Sequence, residues 1–185
     1  MKIEEKKRDD IEKRASKMSD FLRMEYFEGC LKQADIEIEA KKYCHAELAK
    51  IYADKRMFGT AAKQMAIAAE LAYTYREKID YYLKEAELRI LAEDYDLADR
   101  AIQNVIRDAG EIQNKEVRRK INSVYRKQAE HFELMNQNSK ALKIYEKLVQ
   151  TTDDAEKPAL KGKLLALYEK LGKIREFMAL KGKIV

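Results

Sequence analysis

The chain has 185 residues, 46% hydrophobic and 38% charged, with a formal net charge of +5, so it can bury a sizeable core as one soluble domain. No apolar run approaches the ~20 residues of a membrane-spanning helix, which excludes a membrane span. One proline and six glycines leave long helices uninterrupted. Because long β-branched or alternating stretches are absent, the sequence excludes a β-sheet and predicts an all-α fold.

The first 40 residues contain two predicted elements. Residues 2–17 are rich in Lys, Arg, Glu and Asp with few apolar positions, which predicts an exposed or frayed helical arm within residues 1–19. In residues 20–38 the apolar side chains recur at steps of three and four, so we expect an amphipathic helix. This helix is either half of a degenerate repeat or a capping helix over residues 20–40.

Residues 42–75 have the pattern of one helix-turn-helix unit. Each of two predicted helices has one stripe of apolar and small side chains: Leu48, Ala49 and Tyr52 on the first, and Ala61, Met65 and Ala68 on the second. Ala49 and Ala61 are small, so the two antiparallel helices can approach closely at these positions. Thr60, which follows Gly59 in the predicted turn, is the predicted N-cap of the second helix.

Further copies of the pattern follow at residues 79–110, 122–153 and 158–185. The matching positions are Tyr82, Ala86, Tyr95, Ala98, Ile102 and Val105, then Tyr125, Ala129, Phe132, Ala141, Tyr145 and Leu148, and finally Leu164, Tyr168, Gly172 and Ile174. Asp94 and Ser139 are predicted to cap the second helices of the second and third copies. The fourth copy is predicted to be an atypical terminal one, because Phe177 stands where a small residue is expected.

This spacing resembles the tetratricopeptide repeat (TPR), whose pattern is WxxLGxxY followed by AxxxF and a later alanine. The copies begin 37, 43 and 36 residues apart, which is longer than the ~34 residues of a TPR. Such irregular repeats look like those of the SNAP adaptor family and of the helical arms in proteasome-lid-type subunits. The resemblance implies a right-handed superhelix, an α-solenoid of antiparallel helix pairs, within a single domain of residues 1–185.

The resemblance also implies a concave surface lined by the first helix of each pair. Positions 2, 5, 9, 12 and 13 of each repeat face a partner in the family. Carried over, they give these candidate partner-binding residues: Tyr43, Lys50, Leu83, Glu87, Ile90, Leu91, Arg126 and Glu130. Members that clamp a C-terminal carboxylate need lysine and asparagine at positions 5 and 9, where this chain has Ala46 and Lys50. A clamp for a chaperone tail is therefore not expected.

Sequence motifs for catalysis are lacking, since no GxxxxGK[ST], GxGxxG, HExxH or DxDxDG pattern is present. His45 lies where the repeat usually has a large core residue, and the neighbouring Cys44 points in another direction on a helix. His131 lies on a predicted helix beside glutamates. The acidic residues between 93 and 99 open a predicted helix, where carboxylates favour the positive end of the dipole. No catalytic, metal or cofactor site is predicted, and the chain is not expected to be an enzyme.

The expected compartment is the cytoplasm. The charged start lacks the apolar stretch of a secretory signal. Cys30 and Cys44 give neither a zinc site nor a disulfide framework, so both thiols are expected in the core.

The C-terminal segment, residues 157–185, is basic, with eight Lys and Arg residues against two glutamates. It is interpreted either as a solvated helical face or as a contact for RNA, an anionic membrane surface or an acidic partner. Its apolar residues have nothing after them to cover them, so self-association through the C-terminal helix is expected from Ile174, Phe177, Met178, Ile184 and Val185.

The leading functional hypothesis is a non-catalytic interaction scaffold or adaptor that binds a helix or peptide of another protein. Leu83, Ile90 and Leu91 form the predicted apolar centre of its groove, which suits an amphipathic helix or a folded partner. The alternative hypothesis is a nucleic-acid-binding helical protein that uses the basic C-terminal segment.

Overall fold

A computed structural model describes residues 3–108 and 110–182. These residues form ten α-helices and no strand, which confirms the all-α prediction. The helices are α1 (Arg8–Ala15), α2 (Asp20–Leu31), α3 (Ile38–Asp54), α4 (Phe58–Glu70), α5 (Tyr75–Leu91), α6 (Tyr95–Asp108), α7 (Glu111–Leu134), α8 (Asn138–Thr151), α9 (Lys157–Lys170) and α10 (Ile174–Lys181). Lys183 of the basic segment, and Ile184 and Val185 of the predicted self-association surface, lie outside the described residues.

The chain divides into two compact units, unit 1 (Met1–Glu111) and unit 2 (Ile112–Val185). In unit 1, consecutive helices from α2 to α6 pack against each other, and α1 packs on α3. In unit 2, α9 packs against both α8 and α10. The amide of Asn122 on α7 donates to the carbonyl of Thr151 at the end of α8, at 3.2 Å. That all residues form one domain stays a prediction.

Four helix pairs, α3–α4, α5–α6, α7–α8 and α9–α10, have the same turn. Each turn has one residue with positive φ: Arg56, Glu93, Asn136 and Gly172. The N–H of the next residue donates to a carbonyl five residues back, at 2.8–2.9 Å, in the pairs Met57–Tyr52, Asp94–Arg89, Gln137–Phe132 and Lys173–Tyr168. This bond defines the Schellman motif, which ends a helix by satisfying its last carbonyls. The positive-φ residues are 37, 43 and 36 positions apart, the same spacing as the sequence copies.

Small residues are fully buried at equivalent positions of the first three pairs. They are Ala49, Ala86 and Ala129 on the first helices and Ala61, Ala98 and Ala141 on the second helices. Without side-chain bulk the backbones can approach closely, as ridge-and-groove packing requires. The fourth pair has the larger Leu165 and Phe177 at these positions, and both are half-buried. The last pair is therefore packed differently from the other three.

The N-terminal arm is not exposed as predicted, because α1 is part of the core of unit 1. Ile11 and Ala15, four residues apart on one face of α1, are 0% and 2% exposed. Arg14 donates to both carboxylate oxygens of Glu5, at 2.6 and 2.8 Å, and its guanidinium lies 5.2 Å from the centroid of the Tyr26 ring. Two apolar residues with helical spacing, together with these contacts, dock an otherwise charged segment on the core.

Three predicted element boundaries are wrong. The helix predicted over residues 20–38 ends at Leu31, because the following loop bonds to the arm: Glu37 N–H donates to the Lys6 carbonyl at 3.1 Å. Thr60 and Ser139 lie inside their helices, since α4 begins at Phe58 and α8 at Asn138. The Schellman turn shortens each connection, so the helix starts before the predicted cap. Asp94 does lie immediately before the first residue of α6.

Candidate partner-binding surfaces

Tyr43 is half-buried in unit 1, and the chain itself covers part of its ring. The ring meets Phe27 edge-on, with centroids 5.9 Å apart. The Arg8 guanidinium of α1 lies 5.4 Å from the Tyr43 centroid. Burial, together with the nearby charges of Glu47 and Glu12, raises the pKa of Tyr43 to about 12. The face of α3 that was predicted to meet a partner is thus partly occupied by α1.

Lys50 and Glu87 lie on unit 1 with salt bridges to neighbours on their own helices. Lys50 is exposed and pairs with Glu47, and Lys84 Nζ lies 2.9 Å from a carboxylate oxygen of the half-buried Glu87. Salt bridges between helix residues three or four positions apart contribute only ~0.2–0.5 kcal/mol. Either side chain can therefore exchange its neighbour for a partner's charge at small cost.

The predicted apolar centre of unit 1 is reduced to two residues. Ile90 is fully buried, so it has no surface to offer a partner. The reason is that α5 packs against both α4 and α6, so a larger part of the surface of α5 is buried. Leu83 is half-buried, and Leu91 is 36% exposed and lines a cleft beside Met57.

Unit 2 contains a groove between α7 and α9, formed by three adjoining clefts that share lining residues. We call it the α7–α9 groove. Its basic end is lined by Lys115, Arg118, Arg119 and Arg126. Its middle cleft, of about 410 Å³, is lined by Tyr145, Ala155, Ala159 and Leu160 among others. Its far end includes Glu130, Glu133, Leu134, Lys163 and Lys170. Arg126 and Glu130, both predicted partner-binding residues, lie in this groove.

Ion pairs hold the two sides of the α7–α9 groove together. Arg126 pairs with Glu156 at the start of α9, and Lys163 Nζ lies 2.8 Å from a carboxylate oxygen of Glu133. The same Nζ lies 5.9 Å from the centroid of Tyr145, a ring that is 1% exposed at the base of the groove. These ion pairs link the two walls, but because their side chains are partly exposed, each contributes little free energy.

The sequence interpretation missed the basic end of the groove. Over residues 1–156 the positive and negative charges nearly cancel, so a charge sum over that segment does not reveal the basic end. The run KEVRRK at residues 115–120 was the available signal. Lys115, Arg118 and Arg119 are three and four residues apart, so they share one face of α7, and Arg126 continues that face two turns later. Charge at helical spacing, rather than charge per segment, identifies this surface.

The side chains of the two cysteines and of His45 contact different residues. Cys30 and Cys44 are both fully buried, and the interaction with Cys30, together with burial, raises the pKa of Cys44. His45 Nδ1 lies 2.7 Å from the side-chain oxygen of Gln64, and burial lowers the pKa of His45. His131 is exposed. Cys44 and His45 therefore do not form a nucleophile–base pair in this arrangement.

Asp94, which lies immediately before α6, is bound by an arginine at the end of α5. Arg89 Nη1 donates to the carboxylate of Asp94 at 3.3 Å, and Arg89 also lies 3.4 Å from a carboxylate oxygen of Glu85. Within residues 3–108 and 110–182, no group of three or more His, Cys, Asp or Glu side chains is placed to hold a metal ion.

The last helix leaves its apolar side chains uncovered by the described part of unit 2. No residue of α10 is buried; Ile174 is 71% exposed, Met178 is 63% exposed, and Phe177 is half-buried. Lys181 Nζ lies 5.6 Å from the centroid of the Phe177 ring. Self-association through α10 stays a prediction.

No protein-family model matches the chain, and no curated protein matches it. None of the described helices combines the length and apolar character needed to cross a membrane. The function must therefore be inferred from the residues of this chain.

Proposed function

We propose that the chain is a non-catalytic scaffold or adaptor that binds a helix or peptide of another protein. The α7–α9 groove carries this proposal, because it combines an apolar middle with charged ends, the anatomy of a protein-binding surface. The four equivalent turns and the TPR-like spacing support an α-solenoid as the scaffold. In such a fold the first helices present a binding surface, and α7 and α9 are both first helices.

The dimensions of the groove suit a short segment rather than a flat partner. Arg118 and Glu130 are 12 positions apart on α7, which corresponds to about 18 Å at 1.5 Å per residue. A helix of three to four turns or an extended stretch of about five residues covers that length. Ala155 and Ala159 are both exposed and small, so the middle cleft has room for a partner's side chain.

Nucleic acid is the less favoured occupant. Two cations of the basic C-terminal segment already have carboxylate partners: Lys157 with Asp154 at 2.7 Å, and Lys163 with Glu133 at 2.8 Å. Beyond its basic end the α7–α9 groove also contains Glu130, whose carboxylate repels phosphates. A phosphate backbone needs a continuous positive track, and this groove alternates in sign.

The test blocks the groove without disturbing the core. Ala159→Trp fills the middle cleft from an exposed position on α9, and Ala179→Trp places the same side chain at an exposed position on α10. Affinity capture from an extract of the native cells, followed by mass spectrometry, is run with the wild type and both variants. We expect one set of proteins to be recovered with the wild type and Ala179→Trp and lost with Ala159→Trp.

Two outcomes would contradict this assignment. Recovery of the same proteins by Ala159→Trp, with loss in Leu83→Glu or Leu91→Glu, would place the binding surface on unit 1. Recovery that disappears after ribonuclease treatment would instead support the nucleic-acid hypothesis. Circular dichroism of every variant should show unchanged helix content, because all four substituted side chains are at least partly exposed.

A further inference from the structure

The basic end of the α7–α9 groove has more cations than carboxylates. Four cations line it against Asp153 and Glu156. Arg126 pairs with Glu156, and Arg119 Nη2 lies 3.8 Å from a carboxylate oxygen of Asp153. Both carboxylates are therefore engaged, and two positive charges are left over.

Lys115 and Arg118 carry the uncompensated charge. Both are exposed, and neither forms an ion pair in the part of the chain that the structure describes. Because they are three residues apart on α7, their head groups lie on the same face of the helix. Two adjacent cations with unused hydrogen-bond donors are a site for carboxylates, and the arginine can bind one with two parallel hydrogen bonds.

The apolar middle cleft is next to the basic end of the groove. Arg126 and Glu156 line both the basic end and the middle cleft, so a ligand passes directly from one to the other. The middle cleft offers the exposed Ala155 and Ala159 to an apolar side chain, while Leu160 and Tyr145, which also line it, are buried. Burying such a side chain gains ~25 cal/mol per Å² of apolar surface.

We infer that the groove binds an acidic segment of a partner protein, with a cluster of Asp or Glu at the basic end and an apolar residue over the middle cleft. This inference rests on the proposed function and names the chemistry of its partner. The span from Arg118 to Glu130, at the far border of the middle cleft, limits the spacing between the two features to about five residues in an extended segment or about twelve in a helix. Charge complementarity at one end also fixes the direction in which the segment lies.

The experiment selects ligands without assuming a sequence. A phage-displayed library of random 16-residue peptides is panned against the wild type. The best peptide, labelled with fluorescein, is titrated by anisotropy against the wild type, against Lys115→Glu/Arg118→Glu, and against Lys120→Glu/Lys127→Glu. The two double variants change the net charge equally, and all four lysine and arginine side chains are exposed on α7. Lys120 and Lys127 do not line the groove, so this pair controls for the long-range field.

We expect the selected peptides to share clustered Asp or Glu at the stated distance from an apolar residue. Affinity should fall roughly tenfold or more in Lys115→Glu/Arg118→Glu and about twofold or less in the control pair, because only the first pair reverses charges in contact. Selection of peptides without acidic clusters, failure to enrich any peptide, or equal losses in both double variants would overturn the inference. Tighter binding of a fluorescent 20-mer of oligouridylate than of the best peptide would overturn it in favour of nucleic acid.

The capture experiment with Ala159→Trp distinguishes failure of this inference from failure of the proposed function. If that variant loses its protein partners but the peptides show no acidic preference, the inference fails while the proposed function stands. If Ala159→Trp loses nothing, the α7–α9 groove is not the surface that carries the proposed function, and the inference fails with that assignment.

Discussion

The left-handed residues of the four turns give the sharpest test of the repeat. Arg56 has φ of 59° in the first turn, and Gly172 has φ of 69° in the last. An L-residue in this region places its Cβ too close to the following carbonyl oxygen, at a cost of roughly 1–2 kcal/mol, whereas glycine has no such cost. Arg56→Gly should therefore stabilise unit 1, although arginine is the larger side chain.

The magnitude follows from two opposing effects. Glycine removes roughly 1–2 kcal/mol of backbone strain, but its greater freedom in the unfolded chain costs ~0.5–1 kcal/mol. The net stabilisation is about 0.5–1 kcal/mol. Lys55 is the matched control, since it is adjacent, basic and exposed but has φ of −79°. Lys55→Gly should lose about 0.5–1 kcal/mol, because only the entropic effect remains.

Urea denaturation followed by circular dichroism measures both variants. The two unfolding free energies should differ by about 1–2 kcal/mol with opposite signs relative to the wild type, and each kcal/mol corresponds to ~2–4 °C in melting temperature. In unit 2, Gly172→Ala should be destabilising by ~1 kcal/mol for the same reason. Equal losses in Arg56→Gly and Lys55→Gly would refute the assignment of strain to Arg56 and with it the equivalence of the turns.

Two further predictions concern the core. Ala141 and Tyr145 are both almost fully buried. In urea denaturation, Ala141→Leu should lower the free energy of unfolding by ~1–3 kcal/mol through overpacking, and Tyr145→Ala should lower it by ~3–5 kcal/mol through the cavity it leaves. A loss within ~0.5 kcal/mol, which is typical of surface sites, would contradict the packing. Burial lowers the pKa of His45 from its usual 6.5, so the folded state binds fewer protons and stability is lost as pH falls through and below 6.5. His45→Gln, which can retain the bond to Gln64, should flatten this pH dependence; an unchanged slope would assign it to another group.

The helix pairs could be predicted from the sequence because their signals are local. Periodicity places Ala49, Ala86 and Ala129 on one helix face each, and the structure buries all three. The end of α2 and the docking of α1 depend on contacts between distant residues, such as Lys6 with Glu37, for which a single sequence carries no periodic signal. Local patterns therefore predict the repeated helix pairs, but they do not predict how α1 and α2 pack at the N-terminal end.

The candidate surface could be predicted only in part, for a related reason. Arg126, one of the positions taken from the repeat, lines the α7–α9 groove, but those positions treat every copy alike. Ile90 is buried because α5 has a neighbour on each side, and Lys115 was overlooked because it precedes the start of its copy. Helix length varies between copies, so residues outside the repeat pattern can reach the binding face.

Equivalent positions in the two units explain why the open groove lies in unit 2. Tyr43 of α3 corresponds to Ser123 of α7 in the repeat. The guanidinium of Arg8, on α1, lies over the Tyr43 ring, whereas Ser123 is exposed and lines the α7–α9 groove. In unit 1 the chain thus covers this position with a short amphipathic helix of its own, held by the buried Ile11. A partner segment bound in the α7–α9 groove would contact α7 at the position where α1 contacts α3. The contact would then be between two molecules, whereas the contact of α1 with α3 is within one chain.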